Sequence, residues 1–209
     1  MLAQLRRSAI LCLICLVLFG LAYPLLGVGL SRSLFRHQAD GSITANGSTL
    51  IGQNWSDTKC PGHPLGSCVF QGRPDDLGPY ASATLNPAEH PGDDPLVANG
   101  VAGESGATNL GPRSAELEKY TKELVAYWHT RGVNPTSDLV TTSGSGIDPD
   151  ITPDDARAEI PMVAGATGLS DAALSRLIDQ QTQGPELGFL GSPYIDVLQL
   201  NEALAHLKS

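Results

Sequence analysis

The chain has 209 residues, a formal net charge of −9, and 41% hydrophobic against 17% charged side chains. That length suits one main domain with an anchor and argues against a large multidomain enzyme. With a pI near 4.8 it lacks the clustered Lys and Arg that a phosphate backbone demands, which excludes nucleic acid as its natural partner.

The long apolar sequence lies before residue 31. Ser8 to Leu30 carry no charged side chain; as a helix these 23 residues span roughly 34 Å, enough to cross the ~30 Å hydrocarbon core of a bilayer. Pro24 and the glycines at 20, 27 and 29 fall in its second half and are expected to kink it. A cleaved signal peptide shares the basic start (Arg6, Arg7), but this apolar stretch exceeds the usual h-region and no clear small-x-small cleavage site follows. We therefore expect a single-pass signal-anchor over residues 1–31 and a soluble domain over 32–209. Beyond Arg36 the chain holds nine Lys/Arg and all 22 Asp/Glu, a net charge of −13. Such a domain is easier to place outside an anionic inner leaflet, with the N-terminus cytoplasmic.

The domain begins with short strand-like runs. SITANGSTLIG reads as a hairpin about Asn46-Gly47, and the Asn-x-Ser sequons at Asn46 and Asn54 read as turns. Cys60 and Cys68 stand eight apart in CPGHPLGSC. Three readings are open: a disulfide limiting the unfolded ensemble of an irregular loop, two free thiols, or a metal site for which His63 alone is too few ligands. Only the first needs an oxidising compartment. Cys12 and Cys15 read as small apolar residues of the span.

Residues 74–111 are rich in Pro, Gly, Asp and Asn and read as a long loop. Ser114 to Arg131 is an amphipathic helix with Leu117, Tyr120, Leu124, Tyr127 and Trp128 on one side, stopped by Gly132. Asp138 to Thr142 is a β-rich run. Thr152 is a good N-cap before Pro153, Asp154 and Asp155, opening a helix that runs to about Ala166, is perturbed at Pro161 and is closed by Gly168. Ser170 caps the next helix. ELGFL and YIDVL read as two strands around Gly191-Ser192-Pro193, and a last helix covers about Gln199 to Leu207. The layout predicts an α/β or α+β domain.

Chemistry is sparse. No Walker A lysine follows a Gly-rich loop, and the five histidines are scattered. Ser143-Gly144-Ser145-Gly146 is either a tight loop before a helix or a backbone nest for an anion; the first is the simpler reading. Asp148, Asp150, Thr152, Asp154 and Glu159 imitate a calcium loop, but Pro153 stands where that loop needs Gly. Neither serine has a base beside it in sequence.

Six segments in order, LIGQNW, FQGRP, SGATNLGP, DLVTTSGSGIDPDITPDDA, GLSDAALSRLI and LGFLGSPYIDVLQLNEAL, resemble the C subunit of the bacterial Kdp potassium-transporting P-type ATPase (KdpC) over essentially the whole chain. Asp75 and Asp76 replace small residues of the family pattern, and the Cys60–Cys68 segment and the loop from Asp75 to Gly103 are longer than in short members. Met162 stands where a basic residue is usual, and Glu159 where the family has glutamine. That glutamine belongs to the region for which ATP contact has been proposed, so Ser143, Gly144, Ser145, Gly146 and Glu159 are weak nucleotide or partner-loop candidates.

The resemblance implies a non-catalytic subunit in a bacterial cell membrane, with no metal and no cofactor of its own. Its partners would be the lipid bilayer, a potassium-conducting A subunit, an ATP-hydrolysing B subunit that binds ATP, and a small F subunit. It further implies a catalytic chaperone that raises the ATP affinity of the B subunit. ATP is cytoplasmic, so an external domain cannot touch it, and assembly of the complex is the preferred mechanism. The competing expectation is a free-standing membrane-anchored extracytoplasmic hydrolase or binding module.

Overall fold

The computed structural model describes residues 2–53, 55, 56, 58–74 and 105–208; the expectations for Asn54 and for most of the 74–111 loop, Asp75 and Asp76 included, lie outside them. The chain divides into two compact units, Met1–Thr44 and Ala45–Ser209.

In the first unit, Leu2–Leu34 is one 33-residue helix with mean hydropathy 2.7. By length and composition it can cross a membrane, a test that a signal sequence also passes. It comprises α1 (Leu2–Cys15), a π-helical stretch (Leu16–Ala22) and α2 (Tyr23–Leu34). The disturbance expected from Pro24 takes the form of this π segment: Pro24 has no N–H for Gly20, and the Tyr23 N–H instead reaches Leu18, five residues back. Every described side chain here except a few near its second half is exposed, including Cys12 and Cys15. A short helix, α3 (Arg36–Ala39), ends the unit's helical part.

The second unit opens its helical part with α4 (Ala115–Thr130). The Ser114 side chain accepts the N–H of Glu116, and Tyr120, Leu124 and Trp128 repeat every four residues on the buried face. Gly132, at φ +74°, ends it. The fully buried Trp128 ring donates its Nε1–H to the carbonyl of Leu139 at 2.8 Å. That bond anchors the following segment.

Strand β1 (Asp150–Ile151) pairs antiparallel with β2 (Ile195–Asp196), with Ile151 opposite Ile195. Helices α7 (Asp171–Gln181) and α8 (Val197–Lys208) contact β2, and α5 (Pro153–Ala158) and α6 (Ile160–Thr167) pack on α7. Thr152 and Ser170 cap α5 and α7 through their hydroxyls, and Gly168 closes α6 at φ +74°. Phe70, Trp128, Leu139, Ile151, Leu174 and Ile195 meet in the buried core. Helices with one short antiparallel pair make the described part of this unit α+β; no parallel α/β sheet forms there.

Three expected strand regions fold otherwise. Ser42 to Gly52 runs through bends and single bridge residues, because the Asn46 side chain is drawn to Glu202 on α8 (2.8 Å) and the Gly52 N–H to the Ile147 carbonyl (2.7 Å). Asp138 to Thr142 forms turns, since Asp138 and Thr141 bind backbone and Arg73 with their side chains. YIDVL supplies β2 and the start of α8, but its ladder partner is β1. ELGFL closes on itself through Glu186 and Leu190.

Candidate functional site

The strand-like segment Phe70–Arg73 threads between distant elements and is held at every residue but one. Asn201 on α8 accepts the Phe70 N–H (2.8 Å) and donates to the Phe70 carbonyl (2.9 Å). The Gln71 N–H donates to Glu159 Oε2 (2.9 Å), and the Gln71 side-chain amide to the carbonyl of Gly66 (2.7 Å). Arg73 pairs with Asp138 at 2.8 Å and donates to the Thr141 hydroxyl and the Thr142 carbonyl. Asp138 in turn accepts the Thr152 N–H at 3.0 Å, tying the start of α5 to the same cation.

Three buried carboxylates, Asp138, Asp155 and Glu159, thus lie in one network with a single arginine. Asp155 binds the hydroxyls of Thr136 and Thr152. Burial pushes its carboxyl up, the two hydroxyls oppose this, and Asp138 adds to it. Burial raises the Glu159 carboxyl well above its ordinary range, the Gln71 N–H offsets part of the rise, and Asp155 adds to it. Glu159 Oε1 is buried with no hydrogen-bond partner among the described residues. A protonated Glu159 is the form this environment favours. Asp150, beside Asp148 and Asp196, is pushed up to about 6, first by burial and then by those two charges.

The Ser143–Gly146 loop is built differently. The hydroxyls of Ser143 and Ser145 lie 3.1 Å apart. They accept the N–H groups of Gly146 (2.9 Å) and Ile147 (3.3 Å). The Ser145 carbonyl accepts from Ser105 and Gly106. The two serine hydroxyls therefore brace the end of the loop, and among the described residues neither serine bonds a histidine or carboxylate. Gly146 lines a cleft of about 40 Å³ with Trp55, Arg73, Ile147, Pro149 and Val197. Ligand pockets usually run to ~300–1,000 Å³. Gly52 walls this cleft by necessity: a Cβ there would lie 2.7 Å from the Asp148 carbonyl oxygen. Glu159 accepts the Gln71 N–H and does not line the cleft, and of Ser143–Gly146 only Gly146 does.

Cys60 and Cys68 are bonded, with Cα atoms 5.6 Å apart, and both are buried. Lys208 and Arg131 donate to the Cys68 and Leu65 carbonyls, docking this closed loop on α8 and the end of α4. Gly66 (φ +73°) is required inside it, because a Cβ would meet Ser56 Cα at 2.8 Å. Among the described residues no group of three His, Cys, Asp or Glu is placed to hold a metal ion.

Sequence reasoning missed Arg73, Asp138, Asp155 and Asn201. The local signals were Arg73 inside FQGRP and Thr152 three residues before Asp155; Asp138 and Asn201 acquire meaning through partners far along the chain.

The family model for KdpC, described as K+-transporting ATPase, c chain, matches residues 5–206. A potassium-transporting ATPase KdpC subunit of Bradyrhizobium diazoefficiens is 39% identical, covering 98% of this chain and 97% of its own. Its counterpart in Rhodopseudomonas palustris (strain BisB5) is 38% identical over the same shares. That of Caulobacter vibrioides is 37% identical over 98% of this chain and 93% of its own.

Proposed function

This chain belongs to the KdpC family, the c chain of K+-transporting ATPases, and from that premise we propose that it is a non-catalytic accessory subunit that assembles and stabilises an ATP-driven potassium uptake complex. The observation that carries this reading is the family match along residues 5–206. The partners are a potassium-conducting A subunit, an ATP-hydrolysing B subunit that binds the nucleotide, and a small F subunit. Residues 1–31 anchor the chain in a bacterial cell membrane, and residues 32–209 form the KdpC-like domain outside the cytoplasm. Two facts support that placement: the bonded Cys60–Cys68 pair suits an oxidising compartment, and the chain after Arg36 has a net charge of −13.

The role is tested by purification from membranes through a tag on this chain. The expected product is a larger complex with potassium-stimulated ATP hydrolysis. A monodisperse single chain that works without partners would replace this reading with that of a free-standing anchored enzyme or binding module.

Sidedness is tested with a membrane-impermeant thiol reagent. Cys60 and Cys68 should become reactive in intact cells only after external reduction. Thiols that react only after permeabilisation would put the domain in the cytoplasm. The chaperone mechanism, in which this chain raises the ATP affinity of the B subunit, would then lead.

A further inference from the structure

Asn46 lies on a bend near the start of the second unit, with its side chain exposed. Of the described asparagines (46, 109, 134 and 201) it alone is followed by glycine. That order of residues carries a reaction of its own. The side-chain amide carbon of an asparagine is one ring closure away from the nitrogen of the next residue, and glycine has no Cβ to shield that nitrogen. A larger residue is poorly accommodated here. A Cβ at Gly47 would overlap the Gln53 side chain, whose amide donates to the Asn46 carbonyl at 3.2 Å.

One contact opposes the closure. Asn46 Nδ2 donates to Glu202 Oε1 on α8 at 2.8 Å, across 156 positions. Nδ2 is the atom that ring closure expels. A carboxylate that accepts from it makes the amide carbon less electrophilic and fixes it in place, so the clamp slows the reaction while it lasts. The bond is exposed to solvent, and such bonds open locally without unfolding of the domain.

We propose that Asn46-Gly47 is a self-modification site, restrained by Glu202, whose reaction turns the tie between residues 45–53 and α8 into a repulsion. The Gly47 nitrogen attacks Cγ of Asn46. The N–Cγ bond forms and the Cγ–Nδ2 bond breaks. The proton of the Gly47 N–H leaves with Nδ2 as ammonia, and a succinimide remains. Water then opens either ring carbonyl, giving aspartate or isoaspartate. In sum, one amide and one water become one carboxylic acid and one ammonia, with no oxidant or reductant. The acid is ionised at neutral pH. A carboxylate then stands against Glu202 where a donor stood before, and a hydrogen bond becomes a contact between like charges.

The test incubates the full-length chain in detergent at mildly alkaline pH and digests it at intervals. The Asn46 peptide, resolved from that of Asn99, is read for the mass gain of replacing NH2 by OH and for methylation by an isoaspartyl methyltransferase. Both signals should grow in the folded chain. Glu202→Ala should raise the rate about threefold or more, the effect of losing one restraining hydrogen bond. Glu202→Gln still accepts from Nδ2 and should not raise it. Absence of conversion at Asn46 in the folded chain overturns the proposal, as does a rate in Glu202→Ala no higher than in Glu202→Gln.

The consequence is read by hydrogen exchange at the Gly52 N–H, which donates to the Ile147 carbonyl at 2.7 Å. Asn46→Asp should exchange there at least about threefold faster than the unaltered chain. Adding Glu202→Gln to that variant should undo the change, because it removes the second carboxylate. Equal exchange in Asn46→Asp and the unaltered chain would show that no repulsion loosens this segment, and would overturn the proposal.

Discussion

Arg73→Ala is expected to destabilise the second unit by about 3 kcal/mol, the low end of the cost of breaking a buried ion pair. The low end is apt because the Arg73 side chain is 20% and that of Asp138 11% exposed. The loss has two parts. Asp138 is stranded without its cation while still accepting the Thr152 N–H, and the Thr141 hydroxyl and Thr142 carbonyl each lose a charged donor. For a domain of this size such a change lowers the unfolding midpoint by roughly 6–12 °C. The measurement is thermal unfolding of the detergent-solubilised chain, made alongside Asp138→Ala and the double variant. The double variant should be clearly less destabilised than the two single losses added together, because it leaves no unpaired charge. Additive effects, or a shift below about 0.5 kcal/mol for Arg73→Ala, would mean that the pair does not hold this region together.

Glu159→Gln should stabilise the protein increasingly as pH rises. The ordinary value for this carboxyl is 4.5 and the folded state raises it, chiefly by burial. Between those two values the folded chain holds a proton that the unfolded chain has released. Stability from this group is therefore intact below pH 4.5 and falls by about 1.4 kcal/mol per pH unit until the folded-state value is passed. Gln has the same shape, can still accept the Gln71 N–H, and does not titrate. Asp150 and Asp155 contribute slopes of the same sign, but both proteins carry them, so the difference between the two curves isolates Glu159. Urea unfolding at several pH values between 5 and 8 reads it directly. Parallel curves would refute a strained, proton-holding Glu159.

Sequence reading succeeded where the determinant is local. Thr152 and Ser170 were legible as caps because each binds an N–H three residues on. Gly132 and Gly168 were legible as stops because positive φ is a property of one residue. The apolar face of α4 was legible from its period. The failures share the opposite cause. YIDVL was read as pairing with ELGFL across the nearest turn, yet Ile195 pairs with Ile151, 44 residues back. DLVTT has strand composition, but Asp138 is claimed by Arg73 from 65 residues away. Glu159 looked like one member of a ligand loop and is instead the acceptor for Gln71, 88 positions earlier. The buried polar network could not be seen because its meaning lies in pairings that composition and periodicity do not encode.

The Asn201 clamp on Phe70 also sets a clock on biosynthesis. The two residues are 131 positions apart, so a nascent chain that has just gained Phe70 must wait for its partner while the ribosome adds the rest. At ~5–20 residues per second that wait is roughly 7–26 s, whereas chain collapse takes microseconds. Elongation, and not diffusion of the chain, therefore fixes the earliest moment at which residues 45–74 can lock onto the core. Until then that segment is in the hands of whatever escorts unfolded chains in the cell.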